Sequence, residues 1–302
     1  MPNKKEYSLT KPLNFPEKVD FSKLRLKWQK LNLSLDFDLI SLKILNLTDR
    51  SQLIAISQIT QNEANTIECL LDKRLSQKPL AYILNQVNFF GLNFFVDESV
   101  LIPRPETEIL VSSAIDFIKN HPAKSPIVAD IGCGSGCIGL SVKHHCPKID
   151  LSLLDISPAA LHVAQKNADL LHLSVNFFLG NLLKNWQITN LSKSKPPTAK
   201  TPLKFDLILA NLPYVDPSWS WLNHSALSYE PPTALFAKDN GLFLIKSLLH
   251  QAKPYLSTTS TVLLELDPIQ KPALRSFCQS ENYIIHDISD YVVFVKIVTP
   301  NQ

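Results

Sequence analysis

Glycine is scarce in this chain, with seven residues among 302. Any place where glycines gather therefore needs a local reason. Other absences narrow the class of protein. No apolar run is long enough to cross a bilayer, and the opening MPNKKEYSLTKPLNF lacks the apolar core of a secretory signal; a soluble protein of the cytoplasm is the expectation. The five cysteines are an odd number in a large chain and show no disulfide-scaffold spacing. That suits free thiols in a reducing compartment and makes the sequons at Asn32, Asn46 and Asn190 chance matches. Charge of one sign is also lacking: the net charge is +3 and the pI near 8.5, too little to make polyanion binding the main task. What is present is 45% hydrophobic and 19% charged residues, enough for a sizeable core and for more than one domain.

From about Phe21 to Leu80 glycine is missing altogether, and leucine and isoleucine recur at mixed three- and four-residue spacings, as in FSKLRLKWQKLNL and IECLLDKRLS. This predicts short amphipathic helices packed together. In PLAYILNQVNFFGLNFFVDESVLIP, β-branched and aromatic residues surround Gly91 and predict a β-hairpin. Beyond it, apolar runs (PIVADI, LSLLD, VNFFL, FDLILA, TVLLEL) alternate with helix-like runs, and the chain closes on YIIHDI and YVVFVKIV. Alternation of this kind predicts an α/β fold, a parallel sheet covered by helices on both faces, with an antiparallel edge from the closing pair. The expected divisions are a helical domain over 1–82, a hairpin linker over 83–104 and an α/β domain over 105–302. The lysine-, serine- and proline-rich stretch 190–204 reads as a surface loop.

Four of the seven glycines, Gly132, Gly134, Gly136 and Gly139, fall in ADIGCGSGCIGLSV. They mark a strand-to-helix turn where backbone comes close to a ligand. The spacing formally matches a dinucleotide fingerprint, and Asp155 lies about 20 residues on, where a ribose-binding acid belongs. Charge argues against a pyrophosphate, because Asp130 at the strand's end would oppose a dianion. S-adenosylmethionine instead carries an ammonium and a sulfonium beside its carboxylate, and Asp130 could attract those groups directly or through water. The segment resembles the first motif of the Rossmann-like methyltransferases, Asp-x-Gly-x-Gly-x-Gly, at Asp130, Gly132, Gly134 and Gly136. The resemblance implies S-adenosylmethionine as cofactor, held by this loop with Cys133 and Ser135, by Asp155 at the ribose hydroxyls, and by Asn181 and Leu182 near the adenine.

FDLILA runs straight into Asn211-Leu212-Pro213-Tyr214. In an open parallel sheet, ligands sit outside the carboxyl ends of the strands, which places Asn211 over the methyl donor. A carboxamide oxygen and the next backbone carbonyl are two acceptors, able to grip both hydrogens of a planar NH2 group. Gripping orients a poorly nucleophilic amide or aryl amine nitrogen toward the sulfonium methyl. Tyr214 offers an aromatic wall and Pro213 stiffens the turn. The tetrad resembles the Asn-Pro-Pro-Tyr motif of amino-directed methyltransferases, with Leu212 in place of the first proline. Such tetrads serve adenine and cytosine amino groups as well as the glutamine amide.

Ile102-Pro103-Arg104-Pro105-Glu106-Thr107-Glu108, followed far downstream by Tyr229-Glu230-Pro231 and Ala234-Leu235, resembles the release-factor glutamine methyltransferases (HemK/PrmC). That resemblance covers nearly the whole chain and is strong at 79–111, 129–170 and 205–236. It implies methylation of the Gly-Gly-Gln glutamine of peptide-chain release factors, with catalytic residues Asn211, Leu212, Pro213 and Tyr214 and further substrate contacts at Glu230 and Pro231; a monomer is the expectation, though nothing in the sequence fixes the oligomeric state. The helical domain would help hold the release factor. The alternatives are an N6-adenine or N4-cytosine nucleic-acid methyltransferase, for which the lysine-rich stretch 190–204 is the only candidate for the expected basic groove and reads better as a solvated loop, and a cofactor-binding module without turnover. Asp267 stands where the family usually has glycine, and the terminal YVVFVKIVTPNQ lacks the family's basic residue. Cys133, Cys137, His144, His145 and Cys146 have no second C-x-x-C pair, so no metal is expected. Arg104 is expected either to brace the junction or to touch the cofactor's edge, and Glu106 and Glu108 to open a helix.

Overall fold

The computed structural model describes residues 17–184, 186, 204–219 and 227–297. The opening residues, Asn190, the 190–204 stretch up to Leu203 and the last five residues lie outside this range. The chain divides into two compact units, one ending at Leu84 and the other starting at Asn85.

In the first unit, helices α1 (Phe21–Gln29), α2 (Ser34–Ile44), α3 (Gln61–Leu75) and α4 (Leu80–Leu84) enclose one apolar core. The mixed spacing read in the sequence puts Phe21, Leu24 and Trp28 on one face of α1 and Ala64, Ile67 and Leu71 on one face of α3. These faces meet Phe37 and Ile40 of α2. A capping box starts α3: Thr60 Oγ1 accepts from the Glu63 N–H, and the Glu63 carboxylate accepts from the Thr60 N–H. Asp38 is fully buried because Arg25 and Arg50 both pair with it, at 2.8 and 2.6 Å. Two three-residue strands, β1 (Lys18–Asp20) and β2 (Gln58–Thr60), pair antiparallel. They are too short to leave a period in the sequence.

The second unit starts with the hairpin β3 (Val87–Phe89) and β4 (Leu92–Phe94). Its turn residues Phe90 and Gly91 both have positive φ, 49° and 75°, as a two-residue hairpin of right-handed twist requires. Phe89 and Phe94 are buried against Leu110 and Val111 of α5 (Glu108–Asn120), and the Glu108 carboxylate accepts the Phe90 N–H at 2.8 Å. The hairpin is thus packed into this unit's core.

A seven-stranded sheet follows, of β5 (Ile127–Ile131), β6 (Asp150–Asp155), β7 (Asn176–Leu179), β8 (Leu207–Ala210), β9 (Thr261–Glu265), β10 (Tyr283–Asp287) and β11 (Val292–Ile297). The spatial order is β10-β11-β9-β8-β5-β6-β7. The five strands from β7 to β9 run parallel, and β11 lies antiparallel between β9 and β10. This is the Rossmann-like arrangement expected from the alternation, with the closing pair as an antiparallel edge. Each central strand sends alternate residues to opposite layers. Ala129, Ile131, Ile208, Ala210, Val262 and Leu264 face the helix Phe243–Ala252. Val128, Leu207, Leu209 and Leu263 face α5 and α6 (Cys137–His145). Burial on both faces is why these strands read as unbroken apolar runs. No helix among the described residues is long and apolar enough to cross a membrane.

Gly139 lets α6 lie close on the sheet. A β-carbon there would stand 2.6 Å from Leu153 Cδ2 and 3.1 Å from Asp130 Cβ, both in the packed interior. Gly139→Ala is expected to destabilise the protein by about 1–3 kcal/mol through overpacking. Urea unfolding of the variant beside the wild type checks it, and an unchanged midpoint would show that the layer has slack.

Candidate active site

β5 and β8 are parallel neighbours, yet the chain leaves them toward opposite layers, to α6 after β5 and to the helix Phe243–Ala252 after β8. Their carboxyl ends are therefore the topological switch point, where an open α/β sheet leaves a crevice. A cavity of about 330 Å³ opens there. It is lined by Gly132, Cys133, Gly134 and Ser135 after β5, Asp155 after β6, Asn181 and Leu182 after β7, and Asn211, Leu212 and Pro213 after β8. Pro231 and Arg104 also line it. Residues far apart in sequence and singled out on separate grounds thus share one wall system.

Four of the predicted site residues do not line the cavity: Asp130, Gly136, Tyr214 and Glu230. Asp130 is fully buried, and its Oδ2 accepts the Gly139 N–H at 2.9 Å. It caps the first turn of α6 from the neighbouring strand, a service the N-cap residue Gly136 has no side chain to give. Gly136 itself takes the left-handed turn, φ 77°, between loop and helix. The Tyr214 hydroxyl donates to Glu265 Oε1 at 3.3 Å. Glu230 is buried and pairs with Arg104, while its Oε2 accepts the Ile102 N–H at 3.2 Å. Arg104 thus both braces the Ile102–Glu108 segment and reaches the cavity.

The asparagine is held by its nitrogen. Asn211 Nδ2 donates to Glu265 Oε1 at 2.9 Å and to Thr107 Oγ1 at 3.2 Å. Neither partner was singled out as a site residue in the sequence. Glu265 did carry a signal, since it is an acid ending a buried apolar strand at the same sheet edge as Asp130 and Asp155. Leu212 is buried, and its Cδ2 lies 2.8 Å from where a β-carbon on Gly132 would be. The leucine in the tetrad therefore packs directly on the glycine loop. Downstream, Gln270 Nε2 donates to the Tyr214 carbonyl at 2.8 Å and the Asn240 carbonyl at 2.6 Å. Asp267, where the family usually has glycine, caps the turn that carries Gln270 by accepting the Ile269 N–H at 3.0 Å.

Residues 107–219 match the family model described as Methyltransferase small domain. A release factor glutamine methyltransferase of Enterococcus faecalis is 35% identical over 219 residues, 72% of this chain and 73% of that protein. The chain belongs to the release factor glutamine methyltransferases. A family member from Haemophilus influenzae is 30% identical over 257 residues, 80% of this chain and 82% of its own length. One from Flavobacterium psychrophilum is 36% identical over 203 residues, 66% of this chain and 67% of its own.

As a methyltransferase of this family the chain uses S-adenosylmethionine. The cavity fits that cofactor on its own terms. Gly134 lines the cavity, a β-carbon there would meet nothing within 4 Å, and its φ of 54° disfavours a side chain. Asp155 accepts the Gly134 N–H and the Ser157 N–H, each at 2.9 Å, which fixes a carboxylate with acceptor capacity left for hydroxyls. Leu182 holds φ 54°, an outlier for a branched residue, beside exposed Asn181. Burial pushes the Asp155 carboxyl above its ordinary value. Burial also pushes Asp130 up to about 7, with the Gly139 hydrogen bond opposing and the Asp155 charge adding.

Gly134→Ala is expected to weaken S-adenosylmethionine binding at least about tenfold, or about 1.4 kcal/mol, because the methyl group enters the cofactor's space. Calorimetric titration measures it; wild-type affinity would mean the cofactor lies elsewhere. A second expectation concerns pH. Because the folded pKa of Asp130 is raised, its neutral form contributes stability that is fully present below the ordinary carboxylate range and lost as pH rises through about 7. The uncharged Asp130→Asn should therefore gain stability over wild type between pH 4 and 7 and hold that gain above. Denaturant unfolding of the cofactor-free pair across pH checks it, and a constant difference would refute it.

Proposed function

We propose that this chain transfers the methyl group of S-adenosylmethionine to the side-chain amide nitrogen of the glutamine in the Gly-Gly-Gln motif of peptide-chain release factors, giving N5-methylglutamine. Family membership supports the reaction. The observation that carries the assignment to residues is that Asn211, Leu212 and Pro213 line the same cavity as the glycine loop and Asp155. Asp155 would bind the ribose hydroxyls and Asn181 the adenine amino group, with Leu182 against the ring. The first turn of α6, whose Cys137 and Ile138 reach the cavity, would receive the cofactor's carboxylate.

When bound, the cofactor supplies an electrophilic methyl group on a positively charged sulfur. The chain's own part is to bind and to aim. Asn211 Oδ1 and the Leu212 carbonyl accept the two hydrogens of the glutamine NH2, turning its nitrogen toward the methyl and favouring pyramidalisation as the new bond forms. Pro213 fixes the turn on which both acceptors sit. Tyr214 serves this arrangement through Glu265, and Glu230 through Arg104, with Pro231 on the substrate side of the wall. No general base is required, because the amide nitrogen becomes acidic once alkylated and loses its proton to water.

The helical domain, expected over 1–82, contributes recognition of the release factor; the hairpin that follows it packs into the core of the catalytic unit and is part of that unit. The protein acts as a monomer in the cytoplasm. Nucleic acid is not its substrate, in keeping with a net charge of only +3.

Incubation with methyl-labelled cofactor is expected to label a release factor at its Gly-Gly-Gln glutamine and to leave DNA and RNA unlabelled; label confined to nucleic acid would overturn the assignment. Asn211→Ala should lower kcat by about 100-fold while the cofactor's Kd stays near wild type. A loss of both together would make Asn211 a residue of the fold.

A further inference from the structure

The two ends of a carboxamide differ in chemistry and hardly in shape, so an asparagine free to turn over would present NH2 to a substrate as readily as oxygen. Only the oxygen can grip an NH2 group. The grip proposed for Asn211 therefore needs something that fixes which end faces the cavity. Thr107 cannot do this alone, since a hydroxyl both donates and accepts. Glu265 can. A carboxylate only accepts, and its Oε1 receives Asn211 Nδ2 at 2.9 Å, leaving Oδ1 as the end available to the cavity. The same Oε1 receives the Tyr214 hydroxyl at 3.3 Å, which anchors the acid from a second side. Glu265 is only 2% exposed, does not line the cavity, and keeps Oε2 buried without a hydrogen-bond partner among the described residues. An acid placed so costs stability, which is the mark of a group kept for a task other than packing.

Resting on the function proposed above, we infer that Glu265 is a positioning residue that sets the polarity of Asn211 and so makes the site select an NH2 acceptor over a carboxylate. A glutamate side chain in place of the substrate glutamine would meet two acceptors with no hydrogen to offer. Glu265 thereby serves specificity as well as rate, through a side chain that never touches the substrate.

The test uses the full-length chain with a release factor and with the same factor carrying glutamate at the Gly-Gly-Gln position. Glu265→Leu removes the acceptor, and Glu265→Gln restores one. Glu265→Leu is expected to lower kcat by about 100-fold and to erase the preference for binding the glutamine form, with the cofactor's Kd within about twofold of wild type. Glu265→Gln should recover kcat to within about tenfold of wild type, since its oxygen can take the place of Oε1. Wild-type turnover and discrimination in Glu265→Leu overturn the inference, as does a parallel loss of cofactor binding in both variants, which would make the acid a part of the fold.

A measurement on the wild type is independent of variant folding and of the substrate. The Asn211 side-chain NH2 resonances, assigned by their absence in Asn211→Ala, should exchange with solvent at least about tenfold more slowly than those of exposed Asn181. Equal rates overturn the inference. If the wild type fails to methylate any release factor, the assignment of function falls, and the exchange rates still decide the role of Glu265.

Discussion

The site depends on one constraint of topology. β5 and β8 must lie side by side and parallel while the chain departs from them to opposite layers. Nothing can then cross directly above the two strand ends, and the gap between their loops is a crevice by construction. The glycine loop supplies one wall and the Asn211 turn the other, each at the end of a strand whose alternating apolar residues are clamped in both layers. Precision at the site therefore comes from the fully buried centre of the sheet, and the loops add only the last few residues of reach.

Electrostatics follow from the same geometry. Asp130, Asp155 and Glu265 stand at or next to the carboxyl ends of β5, β6 and β9, and burial pushes all three carboxyl groups upward. In a poorly solvated pocket edged by acids, a ligand bearing positive charge recovers part of the cost of their desolvation, whereas a pyrophosphate would add to it. The distinction between a nicotinamide cofactor and a sulfonium cofactor, drawn from the sequence on the strength of one aspartate, thus gains Glu265 as a second acid, while Asp155 suits the ribose of either. Asp130 acts in this from behind the wall, through the α6 turn it caps.

Much of this was legible in the sequence because it was local. A four-glycine stretch in a glycine-poor chain, an acid closing LSLLD and an asparagine closing FDLILA each announce themselves within a few residues. The strand and helix order was legible for the same reason, since burial on both faces writes continuous apolar runs. What stayed hidden was long-range pairing. Asn211 meets Glu265 across 54 residues and Thr107 across 104, and Arg104 meets Glu230 across 126. No periodicity marks such pairs. The Glu265 oxygen that accepts the Tyr214 hydroxyl has no local signature either. The pair β1 and β2 was missed because three residues are too few to show alternation.

Leu212 ties two motifs into one mechanical part. In place of a rigid ring it brings a branched side chain, wedged over the loop at Gly132, so the orientation of its carbonyl is secured by apolar contact. Substitutions at the two positions are then coupled. With a compact residue at 212, position 132 is barred to other amino acids by its backbone angle alone; with leucine, it is barred by occupied volume as well. Leucine here makes the loop glycine harder to replace, and proline in its place would leave a void against Gly132 before any benefit of stiffness was felt.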